Sequence, residues 1–277
     1  MTALIGCDFS SRPTRRKPII VAHGGMVSGA VMLFRLERLD SAEAFADWLS
    51  RPARWLGGFD LPFGLPRALV HALGWPLAWE ACIDHYVALD RPAIRAHFKS
   101  FCDARPVGDK FAHRATDRPA GSSPSMKWVN PPVAYMLHAG VPALLKAGVH
   151  LPGVQPAPAA QPGRVALEAY PGLLAREVLG RRSYKSDDPA RQTLERCRNR
   201  DLLLQALGRG QTRLGLRLAL TAEQHAELVA DGSGDLLDAC LCLVQAAWAS
   251  QQGWPWFGLP VDMDPLEGWI VTAEWNG

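Results

Sequence analysis

The chain has 277 residues, 48% of them hydrophobic and 21% charged, with a formal net charge of +3. That composition describes a globular chain able to bury a sizeable core, and no run of about 18 apolar residues offers a membrane-spanning helix. A net charge so small does not by itself argue for nucleic acid.

In chain order, "ALIGCDFSSRP" opens with an apolar run, Ala3–Phe9, that reads as a buried strand and stops at Asp8. Ile19–Ala22 and Met26–Leu36 read as two further strands, with His23-Gly24-Gly25 as the turn of a hairpin. Asp40-Ser41-Ala42-Glu43 places Asp40 at the N-cap and Glu43 at N3 of a helix running to about Ser50. Trp55–Phe59 is a short buried strand that ends on Asp60, and the Leu61–Pro66 stretch after it suits neither a helix nor a central strand. Residues 66 to about 150 read as largely helical, with Leu77–Leu89 and Arg91–Cys102 clearest. Within them, Arg105–Pro132 forms a long polar loop, a kind that is usually functional or disordered. A Pro/Ala connector over 151–163 leads to a strand at Val165–Tyr170, and Pro171 is placed to open a helix. Asp188–Leu207 reads as a polar helix and Thr221–Ala230 as one with a Thr-x-x-Gln capping signal. Asp235–Ser250 reads as an apolar buried helix, and residues 267–274 as a closing strand.

Three antiparallel strands followed by strands alternating with helices predict a mixed α/β sheet covered by helices. The expected organisation is one domain over 1–277 with a largely helical and loop insertion at about 66–160. Ligands of open α/β sheets sit outside the carboxyl ends of the strands, where Asp8 and Asp60 both fall. If those strands are parallel neighbours, the two acids share one edge. Asp235 and Asp238, at i and i+3 where a helix begins, project from one face with Cβ atoms about 5–6 Å apart. The competing reading makes Asp235 an N-cap and Asp238 a dipole partner at N3. Carboxylates about 4 Å apart repel by roughly 4 kcal/mol at an effective dielectric near 20. Converging acids therefore demand protons or a cation, and Mg²⁺ or Mn²⁺ is the natural counter-charge for carboxylate oxygens.

"IGCDFSS", "GGFDLPFGLP" and "GDLLDACLCLVQAA" resemble the acidic motifs of ribonuclease H-like nucleases. The nearest likeness is the RuvC-type Holliday-junction resolvase arrangement, with an acid on strand one, an acid on strand four and Asp-x-x-Asp-Ala opening the last helix. More specifically, the chain resembles an uncharacterised family of predicted nucleases with that fold. This likeness extends to "RATDRPAGSSPSMK", "VNPPV", "EAYPGLLAREV", "SYKSD" and "EGWIV". It implies a ribonuclease H-like fold, a metal-dependent phosphodiesterase acting on DNA or RNA, and metal-binding, catalytic roles for Asp8, Asp60, Asp235 and Asp238. Two departures are Asp60 where the resolvases commonly have Glu, and the insertion, which could build a different substrate pocket.

Other residues carry paired readings. Glu168 is an auxiliary acid at the same edge or an exposed strand end. Lys185 is a phosphate contact or charge screen, or a surface lysine. Arg114, Asp117, Arg118, Ser125 and Lys127 grip substrate phosphates from the polar loop, or belong to a solvated loop. Glu267 and Trp269 read as closing the sheet edge. Charge is unevenly placed: residues 91–134 carry a net +5, residues 175–217 a net +6, and the remainder −8. Basic blocks beside an acidic remainder suit a polyanion held near a metal site, with Arg-rich solvated helix faces as the competing reading. The eight His form no zinc-like cluster, and no GxSxG, Walker loop or GxGxxG is present. The six cysteines lack CxxC or framework spacing and read as reduced core residues. With an apolar stretch before Arg15-Arg16-Lys17 too short for a signal peptide, they predict a cytoplasmic protein. The rival functions are a non-catalytic nucleic-acid-binding or scaffold protein of the same fold, and a phosphotransferase or phosphohydrolase of actin-like ancestry.

Overall fold

Alternating side chains divide the first strand between two cores. In the computed structural model, which describes residues 3–275, β1 (Ala3–Asp8) sends Leu4 to one face of the sheet and Ile5 and Cys7 to the other. A strand buried on both faces belongs mid-sheet. β1 lies there, antiparallel to β2 (Ile19–Val27) and parallel to β4 (Trp55–Asp60). With β3 (Ala30–Leu39), β5 (Arg164–Glu168) and β6 (Leu218–Ala219), the order is β5-β4-β1-β2-β3-β6. The protein is thus α/β with a six-stranded mixed sheet.

Ten α-helices among the described residues cover this sheet. On the face of Ile5 and Cys7 lie α1 (Ala42–Ser50) and four helices between β4 and β5: α2 (Arg67–Ala72), α3 (Trp79–Val87), α4 (Arg91–Asp103) and α6 (Val133–Lys146), while the short α5 (Asp117–Ala120) sends Ala120 to the other core. On the face of Leu4 lie α7 (Pro171–Leu179), α8 (Leu194–Gly208), α9 (Ala222–Ala230) and α10 (Asp235–Gln252). Helix α10 is the keystone of that layer. Leu237, Leu241, Leu243 and Val244 are all fully buried, each worth about 1.5–3 kcal/mol of transfer free energy. The helix rests directly on backbone. A Cβ at Gly6 would strike the Ala239 carbonyl, and one at Gly58 would lie 2.6 Å from the Cys242 carbonyl oxygen. None of the helices is long and apolar enough to cross a membrane.

Several local expectations are corrected. His23-Gly24-Gly25 is no turn: β2 runs through it with a register shift at His23/Gly24, and Gly24 lacks a Cβ that would crowd Leu243. The hairpin turns instead at Ser28-Gly29, where φ is 49° and 76°, the left-handed geometry that tight hairpins demand. Ser41, not Asp40, caps α1 by accepting from the Ala44 N–H at 3.0 Å. Helix α8 starts at Leu194 behind the cap Thr193, because Pro189–Arg191 forms a separate 3-10 turn. Residues 267–274 form turns rather than a strand, broken by positive φ at Gly268 and Thr272, although Val271 still donates to the Glu168 carbonyl at 2.7 Å. The Thr221–Gln224 capping box and Pro171 at the start of α7 are as expected.

Candidate metal centre

The parallel register of β1 and β4 pairs Asp8 with Asp60. Each acid stands two residues beyond a glycine on which α10 rests, and side chains two apart in a strand share a face. Both carboxylates therefore leave the sheet on the side of α10, one turn into which stands Asp238. Ligand oxygens of Asp8, Asp60 and Asp238 all lie within 4.8 Å of one another. Asp8 is only 8% exposed and Asp238 is fully buried.

Their hydrogen bonding is unequal. Asp238 accepts from the Tyr184 hydroxyl and the Lys185 ammonium. Among the described residues, no donor reaches the carboxylate of Asp8 or Asp60. Burial, followed by the charges of Asp235 and Asp238, pushes the Asp8 carboxyl well above its ordinary range. Burial likewise lifts Asp60 to about 7, with Lys185 opposing and Asp238 adding to the rise. At such spacing, each ionised pair costs roughly 3–4 kcal/mol at an effective dielectric near 20. The pocket must hold extra protons or take a cation. Its donor set consists of carboxylate oxygens without imidazole, and the nearby Cys7 and Cys242 thiols are pushed well up by burial and so stay protonated. Hard cations such as Mg²⁺ and Mn²⁺ fit that set better than zinc.

Asp235 has a different partner. The helix-capping reading does not hold: the N-cap of α10 is Gly234 at φ 77°, with no side-chain cap bond. Asp231 serves the helix start instead, accepting from the Leu236 N–H at 3.0 Å. Asp235 accepts from Lys17 Nζ at 2.8 Å, and Lys17 also donates to Asp187 at 2.5 Å. Burial raises the Asp235 carboxyl while Lys17 opposes the rise. Asp235 thus borders the three-acid cluster, close enough to act on Asp8, with its own charge already balanced.

Glu168 shares the sheet edge but not the face. It is the last residue of β5, in register with Phe59, one residue before Asp60, so alternation turns it away from α10. It pairs with Arg114, whose Nη1 and Nη2 donate to its two oxygens at 2.8 and 2.6 Å, and it accepts from the Phe63 N–H at 2.9 Å. Arg114 also donates to Asp117 through Nε at 3.1 Å and Nη2 at 2.9 Å, and to the Glu267 carbonyl at 3.0 Å. All five guanidinium donors are committed. Arg114, Asp117 and Glu168 are buried, as is Ser125, whose hydroxyl has no partner. The polar loop is therefore in large part a buried brace between β5 and the C-terminal turns, and Arg114 has no donor to offer a phosphate. Arg118 is exposed and Lys127 half-buried, and neither joins the acids. Glu267 accepts from the Arg67 and Ala115 N–H groups at 2.8 Å each, tying turns together rather than closing a strand edge.

Lys185 is no free surface lysine. Burial works against its charge, yet Asp238, Tyr184 and Asp8 outweigh it and hold its pKa well above the ordinary range. Sequence reasoning missed Lys17, which lies 218 positions from Asp235, and Tyr184. Only the adjacency of Tyr184 to Lys185 in "SYKSD" hinted at the latter. Asp8, Asp60 and Asp235 open onto a cavity of about 820 Å³ that Arg12, Arg91 and Tyr135 also line. The chain matches no family model, no curated protein and no solved structure.

Proposed function

We propose that this protein is a divalent-metal-dependent nuclease of ribonuclease H-like fold, cleaving phosphodiester bonds in nucleic acid. The carrying observation is the pair of carboxylates, buried Asp8 and half-buried Asp60, that face Asp238 with no hydrogen-bond donor of their own. A stabilising role would give them partners, as Glu168 has. The sheet supports the fold reading: three antiparallel strands lead into parallel β4 and β5, and the acids stand at the ends of β1 and β4 and in the first turns of the last helix.

Asp8, Asp60 and Asp238 would hold Mg²⁺ or Mn²⁺, which would supply Lewis acidity to a phosphoryl oxygen and polarise the attacking water. The chain's own groups do the rest. Tyr184 fixes the rotamer of Asp238, and Lys185 balances its charge until a metal takes that place. Lys17 neutralises Asp235 and so limits the negative charge that an incoming phosphate meets. The cavity wall holds the scissile group near the acids and limits water around it.

The test is Mn²⁺-dependent cleavage of single- and double-stranded DNA and RNA by the wild type and by Asp8→Asn. The expected outcome is cleavage by the wild type and a loss of about 10³-fold or more in the variant, with unchanged circular dichroism. Undiminished cleavage by the variant would overturn the assignment.

A further inference from the structure

The acid cluster does not lie on an open surface. Its cavity of about 820 Å³ falls in the range of pockets that enclose a small ligand, roughly 300–1,000 Å³. Two of its other walls are cationic and aromatic. Arg12 lies in the loop leaving β1, four residues beyond Asp8 and so no more than about 14 Å from it along an extended chain. Arg91 opens α4, and its guanidinium lies over the Tyr135 ring at 4.6 Å while Nη2 donates to the Ser11 carbonyl at 3.1 Å. These contacts aim the Arg91 fork at the Ser10-Ser11-Arg12 loop rather than at a carboxylate.

The two arginines are close enough for their charges to repel. Burial and the neighbouring Arg12 hold Arg91 below its ordinary pKa. Among the described residues, neither guanidinium pairs with an acid, whereas Arg114, the other arginine lining the cavity, does. Two adjacent unneutralised guanidinium groups in one cavity wall call for an anion, and their planar forks match phosphate oxygens. A duplex carries its phosphates on the outside of a broad cylinder and presents a nucleotide to such a pocket only by extruding it. A strand end needs no extrusion.

We infer that the cavity takes the terminal nucleotide of a single strand, its phosphate held between the acid cluster and the Arg12–Arg91 pair, so that the enzyme works from chain ends. This rests on the metal-dependent reading above and names its substrate class. In the corresponding hydrolysis, a water oxygen bonds to phosphorus and the P–O bond to the neighbouring sugar breaks. The departing oxygen takes up a proton, and one mononucleotide leaves.

The probes are Mn²⁺ alone, a linear twenty-residue single strand with an uncleavable phosphorothioate backbone, and the same strand ligated into a circle. The wild type is expected to bind the linear strand in Mn²⁺ about tenfold more tightly than the circle. Arg12→Ala/Arg91→Ala is expected to lose about tenfold in linear-strand affinity with Mn²⁺ binding unchanged. Because Arg91 packs on Tyr135, Arg12→Ala alone, at an exposed position, provides the check that the loss is not misfolding; about threefold weakening is expected. Equal affinity for circle and linear strand, or full affinity in both variants, overturns the inference. Mn²⁺ binding without strand binding overturns it while sparing the metal reading, and no Mn²⁺ binding in the wild type overturns both.

Discussion

Two groups of buried carboxylates stand within one strand of each other and are built in opposite ways. On the α10 side, Asp8, Asp60 and Asp238 face one another, and two of the three have no donor. On the other side, Glu168 and Asp117 share a single guanidinium that spends all five N–H groups on them and on a backbone carbonyl. The amino acids are similar and both groups are dehydrated. Burial raises the Glu168 carboxyl as it raises Asp8 and Asp60, so partnering is what separates them: a satisfied buried ion network specifies structure, whereas an unsatisfied one calls for a counter-charge.

The largest effect is expected from removing the cation of the satisfied side. Arg114→Met would leave Glu168 and Asp117 buried without their cation, a change that costs about 3–5 kcal/mol. Urea denaturation should show that loss, while Mn²⁺ affinity of the folded fraction stays unchanged. A cost near zero would mean that the brace is not structural.

The next largest effect lies on the unsatisfied side and depends on pH. Asp60 is raised from an ordinary 3.8 to about 7, so the folded protein holds a proton there that the unfolded chain releases. Stability from this group is full below about pH 4 and is lost as pH rises through 7. The melting temperature of the metal-free wild type should therefore fall between pH 5 and 8. Asp60→Asn should flatten that slope and add about 2 kcal/mol at pH 8. Saturating Mn²⁺ should erase the difference in slope for the wild type alone. A metal-free wild type no more pH-dependent than the variant would contradict the shift.

Smallest is the expected effect of Lys185→Met. The side chain is 43% exposed, so solvent screens its charge and the term stays below about 1 kcal/mol. Removing a cation that competes for Asp238 should tighten Mn²⁺ binding severalfold at pH 8. Weaker binding would show that Lys185 supports the site rather than competing for it.

Much of this contrast was legible in the sequence, through short-range signals. "GCD" and "GFD" place a glycine two residues before each strand-end acid, and those glycines are where α10 touches the sheet. Asp-x-x-Asp at the start of an apolar helix pointed to the third member. What stayed hidden depended on register or on distant partners. Glu168 faces away from the cluster because β5 pairs it with Phe59 rather than Asp60, a one-residue difference that no local pattern reveals. Asp235 is neutralised by a lysine in the loop after β1, and Arg114 looked like a surface residue because its neighbours in sequence are polar. The hairpin was misplaced for a related reason: Gly24 is a glycine because the Met32 carbonyl and Leu243 leave no room for a Cβ, not because the chain turns there.

Whether these acids hold a metal is read out by calorimetric titration of Mn²⁺ into the wild type and Asp8→Asn at pH 8. One saturable binding event is expected in the wild type, accompanied by proton release, with its loss in a variant that remains folded. Equal binding by both proteins, or none by the wild type even with a phosphorothioate strand present, would contradict it.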